Sequence, residues 1–271
     1  MISYNNHNQI KEIHYNNHNI KYVYGCGGNL VWSGDTPTPP TPTGAKFSAE
    51  YAGGTSFSAE CDGDSVLRTG TTRQGGYSTY SAMTSAVIGD CVDTIWTSCF
   101  ASCNSLTSVT IPSSVTRIMG GAFRYCYSLT SVGVVGSGAS IEIPNGVTGI
   151  GAYGQYGYDG NVFENCSGLT DVVLGDQIEG IGDAAFGHCT SLRNVTIGSG
   201  LTSLGASSFG TCPNLVSVVI KATTPPTPSS GSNWNPFYGS TCPIYVPSGS
   251  VNTYKTASGW SQYASRIQAI P

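Results

Sequence analysis

Charge is scarce in this sequence. Among 271 residues there are eleven Lys and Arg and fifteen Asp and Glu, giving a formal net charge of −4. No run of basic residues occurs, so an electrostatic grip on nucleic acid or anionic lipid has no source. The long charged side chains that cover the outer faces of a helical bundle are missing, which excludes that class. No 18-residue stretch is continuously apolar, so nothing is expected to insert into a membrane. The opening Met1-Ile-Ser-Tyr-Asn-Asn-His-Asn8 has neither the basic start nor the apolar run of a secretory signal. Two expectations follow: a signal already removed, or a chain made and kept in a cytoplasm. Close Cys-x-x-Cys pairs are also absent, and Gly25-x-Gly27-Gly28 lacks the Lys-Ser/Thr of a phosphate loop.

What is abundant is small: 36 Gly, 35 Ser and 28 Thr. That composition favours short strands joined by many turns. Within it lies a repeat. Phe100, Phe123, Phe163, Phe186 and Phe209 are each followed three residues later by Cys103, Cys126, Cys166, Cys189 and Cys212. Leu106, Leu129, Leu169, Leu192 and Leu215 come three residues further on, then Val109, Val132, Val172, Val195 and Val218. The Phe-to-Phe spacing is 23, 40, 23 and 23 residues. A fixed period in this range marks a solenoid whose coils bury one another's apolar face. Val109 and Ile111 alternate with Ser108 and Thr110, predicting a short strand with one face inward. Pro112, or Gly89, Gly175 and Gly198 at the same position, turns the chain, and Val115 and Ile118 point inward on the return path. Ala86, Ile88, Val92 and Ile95 begin the first coil. The third coil carries 17 extra residues, about nine within Gly133–Ser140, just before an expected strand at Ile141–Pro144, and about eight between Ile150 and Phe163.

The run from Leu106 through Ile118 to Ala122-Phe123-x-x-Cys126 resembles the BspA-type leucine-rich repeats, over about residues 86–220. The stretches Cys242–Pro247 and Tyr254–Ile267 resemble the terminal segment common in such proteins. The resemblance implies adhesion or protein binding rather than catalysis. The fold expected is mainly β: a leucine-rich-repeat solenoid with a parallel sheet, a small β cap before it and a short helical C-terminal cap.

Five segments follow: an N-terminal hairpin segment at 1–35, a Thr/Pro linker at 36–43, a β cap at 44–85, the solenoid at 86–220 and a C-terminal cap at 221–271. In the cap, Ser248 is expected to start a helix with Val251, Tyr254 and Ala257 on one side. Residues 1–35 hold two near copies of Tyr-Asn-Asn-His-Asn, at Tyr4 and Tyr15, and a hairpin signal between Ile20–Tyr24 and Leu30–Trp32. The segment resembles short leader segments in virion proteins of phages that infect gut bacteria. Too small to fold alone, it is expected to use Ile10, Ile13, Ile20, Val23, Leu30 and Trp32 as an anchor, for self-association as a homotrimer or for docking onto other virion proteins.

The cysteine column is read as buried, reduced thiols acting as small apolar side chains. Parallel Cβ vectors do not give a disulfide dihedral. Cys26, Cys61, Cys91, Cys99 and Cys242 fall outside the column, and a single bridge among them is open. His7, His14 and His18 are read as polar strand residues rather than metal ligands, and Asp62, Asp64, Asp90 and Asp93 as turn residues, so no metal and no cofactor is expected. His188 beside Cys189 does not make a nucleophilic pair, because Cys189 belongs to the core column. Glu142, Glu164, Asp171, Asp176, Glu179 and Asp183 share no repeat position suited to acid–base work, so no catalytic residue is assigned.

The second insertion differs. Tyr153, Gln155, Tyr156, Tyr158 and Asp159 sit among glycines in a loop the solenoid does not need, a composition suited to binding. The function expected is a non-enzymatic phage virion component, in fibre, attachment or decoration role, binding a protein or glycan on a cell surface. The alternative is a bacterial cell-surface adhesin of the BspA type. A glycan-active β-solenoid enzyme, a third class, would need paired carboxylates that the sequence does not offer.

Overall fold

The computed structural model describes residues 45–60, 65–68, 72, 81–133, 141–151, 160–228 and 235–271, with the backbone of five short strands in the first 32 residues. Each coil runs through a strand, a turn at the Pro or Gly position, a two-residue return strand and a tight phenylalanine turn. The return strands Val66–Leu67, Thr94–Ile95, Arg117–Ile118, Gly149–Ile150, Gly180–Ile181, Ser203–Leu204 and Thr227–Pro228 pair in parallel in that order, giving a seven-stranded sheet. On the other side, Met83–Ile88, Ser108–Thr110 and Ser131–Gly133 are parallel neighbours in one sheet. Asp171–Leu174, Asn194–Ile197, Ser217–Ile220, Ile244–Val246 and Ile267–Ala269 form a second parallel sheet. The protein is a mainly β, parallel-sheet solenoid with a single short C-terminal helix among the described residues.

The core is one column of aromatic rings. Phe100, Phe123, Phe163, Phe186 and Phe209 are fully buried. Successive centroids lie 5.1, 5.2, 5.2 and 5.2 Å apart, with planes within 13° of parallel. That spacing is close to the strand separation of about 4.8 Å in a sheet, so rings and strands share one rise per coil. Phe47 and Phe57 continue the column at one end, and Phe237, Trp260, Tyr263 and Tyr254 close it at the other.

The turn that carries each ring is tied to its neighbour by a third ladder. In the first full coil the N–H groups of Ser98, Phe100 and Ser102 donate to the carbonyls of Gly120, Ala122 and Arg124 at 3.1, 2.7 and 2.7 Å. Asn161, Phe163 and Asn165 repeat this toward Asp183, Ala185 and Gly187, at 2.8, 2.7 and 2.8 Å. Alternate N–H groups can all aim toward the next coil because the residues two before and two after each ring adopt left-handed backbone. Ser102, Tyr125, Asn165, His188 and Thr211 have φ between 56° and 66°. Left-handed backbone is unfavourable for residues with a Cβ, and the inter-coil bonds offset it.

The column cysteines are free thiols and fully buried. They are more than apolar filler. The Sγ of Cys126, Cys166, Cys189 and Cys212 each donates to the carbonyl of the phenylalanine one coil earlier, at 3.1, 3.1, 3.2 and 3.3 Å. Burial pushes the thiols of Cys126, Cys166 and Cys189 well up, and that of Cys212 to about 12. Cys99 and Cys242 also stand outside any disulfide. Cys91 is disulfide-bonded, and Cys26 and Cys61 lie outside the described residues.

Both ends of the stack are closed by added strands. Ala45–Tyr51 pairs antiparallel with Met83–Ile88, and Thr55–Glu60 pairs with its outer edge. The turn at Gly89 meets the start of the Ala45–Tyr51 strand so closely that a Cβ there would lie 1.6 Å from the Ala45 carbonyl oxygen, which is why glycine occupies this turn. At the far end the sheet continues past residue 220 through Ile244–Val246 and Ile267–Ala269. Helix α1 spans Val251–Thr256, and its N-cap position is Ser250, after a 3-10 turn at Ser248–Ser250. Ser248 is therefore not the cap expected from sequence, and Ser250 makes no capping bond through its side chain. Tyr254 anchors the helix instead, its hydroxyl donating to the Ala222 carbonyl at 2.9 Å.

The first insertion adds a strand. Val132 bridges Ile141, and Glu142 bridges Val173. Coil three thus crosses this side twice, at 131–133 and 141–142, but crosses the return side once, where Ile118, Ile150 and Ile181 are successive partners. Near the N-terminus, Ile2–Tyr4, Ile10–Tyr15 and His18–Ile20 form a three-stranded antiparallel sheet, and Tyr22–Tyr24 pairs with Leu30–Trp32. The expected anchor residues Ile10, Ile13, Ile20, Val23, Leu30 and Trp32 all fall on these strands, with Ile13 in register with Ile2 and Ile20. What their side chains touch lies outside the described residues.

Removing one ring interrupts the stack, so Phe186→Ala is expected to cost roughly 3–5 kcal/mol in chemical denaturation; a loss below about 1 kcal/mol would mean the column is not core. The five column thiols are expected to resist a thiol reagent in mildly alkaline buffer in the native protein and to react fully once unfolded, since neither access nor thiolate is available in the core.

Candidate functional site

The second insertion leaves the solenoid at Gly151 and returns at Gly160. Both roots are fixed by neighbouring coils: Gly151 N–H donates to Ile118 at 3.4 Å, and Gly121 N–H donates to the Gly160 carbonyl at 2.9 Å. A Cβ at Gly160 would meet the Asp183 carbonyl oxygen at 2.1 Å, so only glycine lets the returning chain lie this close. The candidate ligand residues Tyr153, Gln155, Tyr156, Tyr158 and Asp159 lie outside the described residues.

The ground beside the loop is described, and it is aromatic. Trp96 and Met119 occupy the row from which the loop springs, one residue after the return-strand isoleucines Ile95 and Ile118. Trp96 is partly exposed, and the guanidinium of Arg68 lies 5.1 Å from its ring centre. On the adjoining turn Arg124 packs over Tyr125 at 4.6 Å, and Tyr125 lies 6.1 Å from Tyr127, which is 46% exposed. Arg124 also pairs with Glu164. Sequence reading missed this group. The signal was present: Arg124 and Glu164 each follow their phenylalanine by one residue, so stacking makes them neighbours despite a separation of 40.

The other carboxylates bind structure. Asp171 accepts from Asn194 Nδ2 at 2.8 Å and from Thr170 Oγ1 at 2.7 Å, and Ser217 Oγ donates in turn to Asn194 Oδ1 at 3.2 Å. Asp176 and Asp183 accept the backbone N–H of Ser199 and Ala206, each at 2.7 Å and each 23 residues on. Each carboxylate ties its coil to the next rather than pairing with a second carboxylate. His188 is exposed while Cys189 is buried, so the two do not face one another. Among the described residues no three His, Cys, Asp or Glu side chains converge on a point that could hold a metal.

Asn194, then Thr170, hold the Asp171 carboxyl below its ordinary range. A depressed carboxylate stabilises the fold above the unfolded value of about 3.9 and loses that contribution as pH falls through the folded value. Asp171→Asn is therefore expected to lower stability at neutral pH, by no more than about 1 kcal/mol for a solvent-facing ladder, read as a lower melting temperature. The gap should close in acid; a gap that persists there would assign the loss to shape rather than charge.

The BspA type leucine-rich repeat region matches residues 74–153 and 159–230, in six copies, and the break between the two stretches falls in the second insertion. Among solved structures, the chain is similar to a leucine-rich cell surface protein from Faecalibacterium prausnitzii, at 22% identity and a TM-score of 0.42 over 82% of this chain and 41% of that one. It is also similar to the pneumococcal vaccine antigen PcpA, at 16% identity and 0.43 over 69% and 40%, and to a T. pallidum leucine-rich repeat protein, at 27% and 0.35 over 49% and 73%. The chain spans well under half the length of the first two. No curated protein matches the sequence. The repeat covers more than half of the chain, in register with the phenylalanine column, and the protein belongs to the BspA type leucine-rich repeat family.

Proposed function

We propose that this protein is a non-enzymatic binding protein of the adhesin type, displayed outside the cell, which holds a protein or glycan ligand on the face of the second insertion. One observation carries the reading. The core passes beneath the insertion without a break: Phe123 and Phe163 stack at 5.2 Å and 2° although 40 residues separate them. The ring column is therefore complete without a contribution from the inserted residues, and the Tyr/Gly composition of Tyr153, Tyr156 and Tyr158 suits rigid aromatic contact area on an adaptable backbone. The ground around its roots, with exposed Trp96 and Tyr127 beside the half-buried Tyr125, Arg124 and Glu164, extends that contact area.

The disulfide at Cys91 supports display, since such bonds persist in oxidising surroundings and are rare in a cytoplasm. It bears against a chain that matures in a host cytoplasm. The virion reading rests on residues 1–35 alone, and family membership lends it no support.

The test is binding of the full chain to arrayed glycans and immobilised host-surface proteins, beside the triple variant Tyr153→Ser, Tyr156→Ser and Tyr158→Ser. The expected result is an unchanged melting temperature with affinity reduced by about tenfold or more, roughly 1.4 kcal/mol. A triple variant that binds like the wild type would move the site elsewhere on the solenoid. Light scattering on the same preparation separates the readings: a monomer agrees with the adhesin, and a trimer that co-sediments with phage particles would restore the virion component.

A further inference from the structure

Asn145-Gly146 is the one Asn-Gly step in the sequence. It occupies the turn between the extra strand and the return strand of coil three, where the Val147 N–H closes back on the Pro144 carbonyl at 3.0 Å. Both residues are exposed. Among the described residues, neither the Asn145 side chain nor the Gly146 N–H takes a hydrogen bond.

The same turn in other coils is built differently. Ser113-Ser114, Asp176-Gln177 and Ser199-Gly200 stand where Asn145-Gly146 stands. There Ser114 donates to the Val92 carbonyl, Gln177 reaches the Ile143 carbonyl, and Asp176 accepts the Ser199 N–H. Among the coils compared, coil three alone places a side-chain amide directly before a glycine whose N–H makes no hydrogen bond.

We propose that Asn145 is a site of spontaneous deamidation, which converts the turn of coil three from neutral to acidic as the protein ages. The Gly146 nitrogen attacks Asn145 Cγ. An N–Cγ bond forms, the Cγ–NH2 bond breaks, and ammonia leaves with the proton shed by Gly146. Water then opens the resulting five-membered imide at either carbonyl, giving aspartate or isoaspartate. Water is the only co-reactant, and no electrons are exchanged.

The fold treats the two products differently. Asp176 caps the Ser199 N–H one coil on, at 2.7 Å. By the same register a carboxylate at 145 faces the N–H of Asp176, so the aspartyl product fits a place the repeat already uses. The isoaspartyl product inserts an extra backbone carbon into a four-residue turn closed by one hydrogen bond, and does not fit. The inference is independent of what the protein binds.

The test is to hold the full-length protein in mildly alkaline buffer and follow it by ion exchange and peptide mapping, with Gly146→Ala and Asn145→Ser beside it. Serine is already the turn residue at 113 and 199, so Asn145→Ser keeps a side chain the turn accepts. The expected result is a growing acidic species with the mass change of amide to acid at Asn145, formed about tenfold faster than at any other asparagine, a barrier difference of roughly 1.4 kcal/mol. The species should be absent from Asn145→Ser, slowed in Gly146→Ala and slower in mildly acidic buffer. Conversion at Asn145 no faster than at Asn104, or equally fast in Gly146→Ala, would overturn the proposal.

Discussion

Ring-on-ring contact in the core fixes almost everything else about this molecule. Offset stacking is favourable only over a narrow range of separations, and here that range coincides with the rise of a parallel sheet. Every coil must therefore return its phenylalanine to the same place, whatever length of chain lies between. Insertions are tolerated only where they leave this column undisturbed, and both insertions of coil three do so. The left-handed residues beside each ring serve the same end, because they let the ring residue bond to the next coil while its side chain stays inward.

The ends show what the column requires of its neighbours. At one end a strand in the opposite direction, Ala45–Tyr51, lays Phe47 against Phe100. At the other the aromatic geometry changes from parallel to edge-on. Tyr263 meets Phe237 at 76°, and Trp260 meets Tyr254 at 81°. A parallel ring would invite another coil on top of it, whereas an edge-on ring ends the series. The polar tips of these residues find partners, Trp260 Nε1 donating to the Pro226 carbonyl at 2.9 Å and the Tyr263 hydroxyl to Asn235 Oδ1 at 2.6 Å, so the lid buries large rings without orphaning a donor.

The phenylalanine, cysteine, leucine and valine columns were legible in the sequence because a repeat writes the same side chain at the same place in each coil. The inward residues of the return path were legible for the same reason, through Ile95 and Ile118, though not the parallel sheet that the path forms. What lay hidden falls into two kinds. Some features have no residue signature: Tyr125, His188 and Thr211 share a left-handed backbone but no chemistry, and a cysteine looks the same whether or not its thiol reaches a carbonyl. Others were masked by broken spacing. The Arg124–Glu164 pair and the double crossing at 131–133 and 141–142 both sit across coil three, where counting by 23 fails; the strand at Ile141 itself was expected. The candidate loop at 152–159 carries no periodicity at all, so only composition spoke for it.

The extra strand of coil three has a mechanical meaning. Between Val109 and Val172 the strand side of the stack makes three steps, through Val132 and Ile141, while the ring column makes two, through Phe123, between Phe100 and Phe163. One side is longer than the other by a strand spacing of about 4.8 Å. The extra crossing therefore works as a keystone set into one side of the arch: it adds a layer of backbone there without adding a ring to the core.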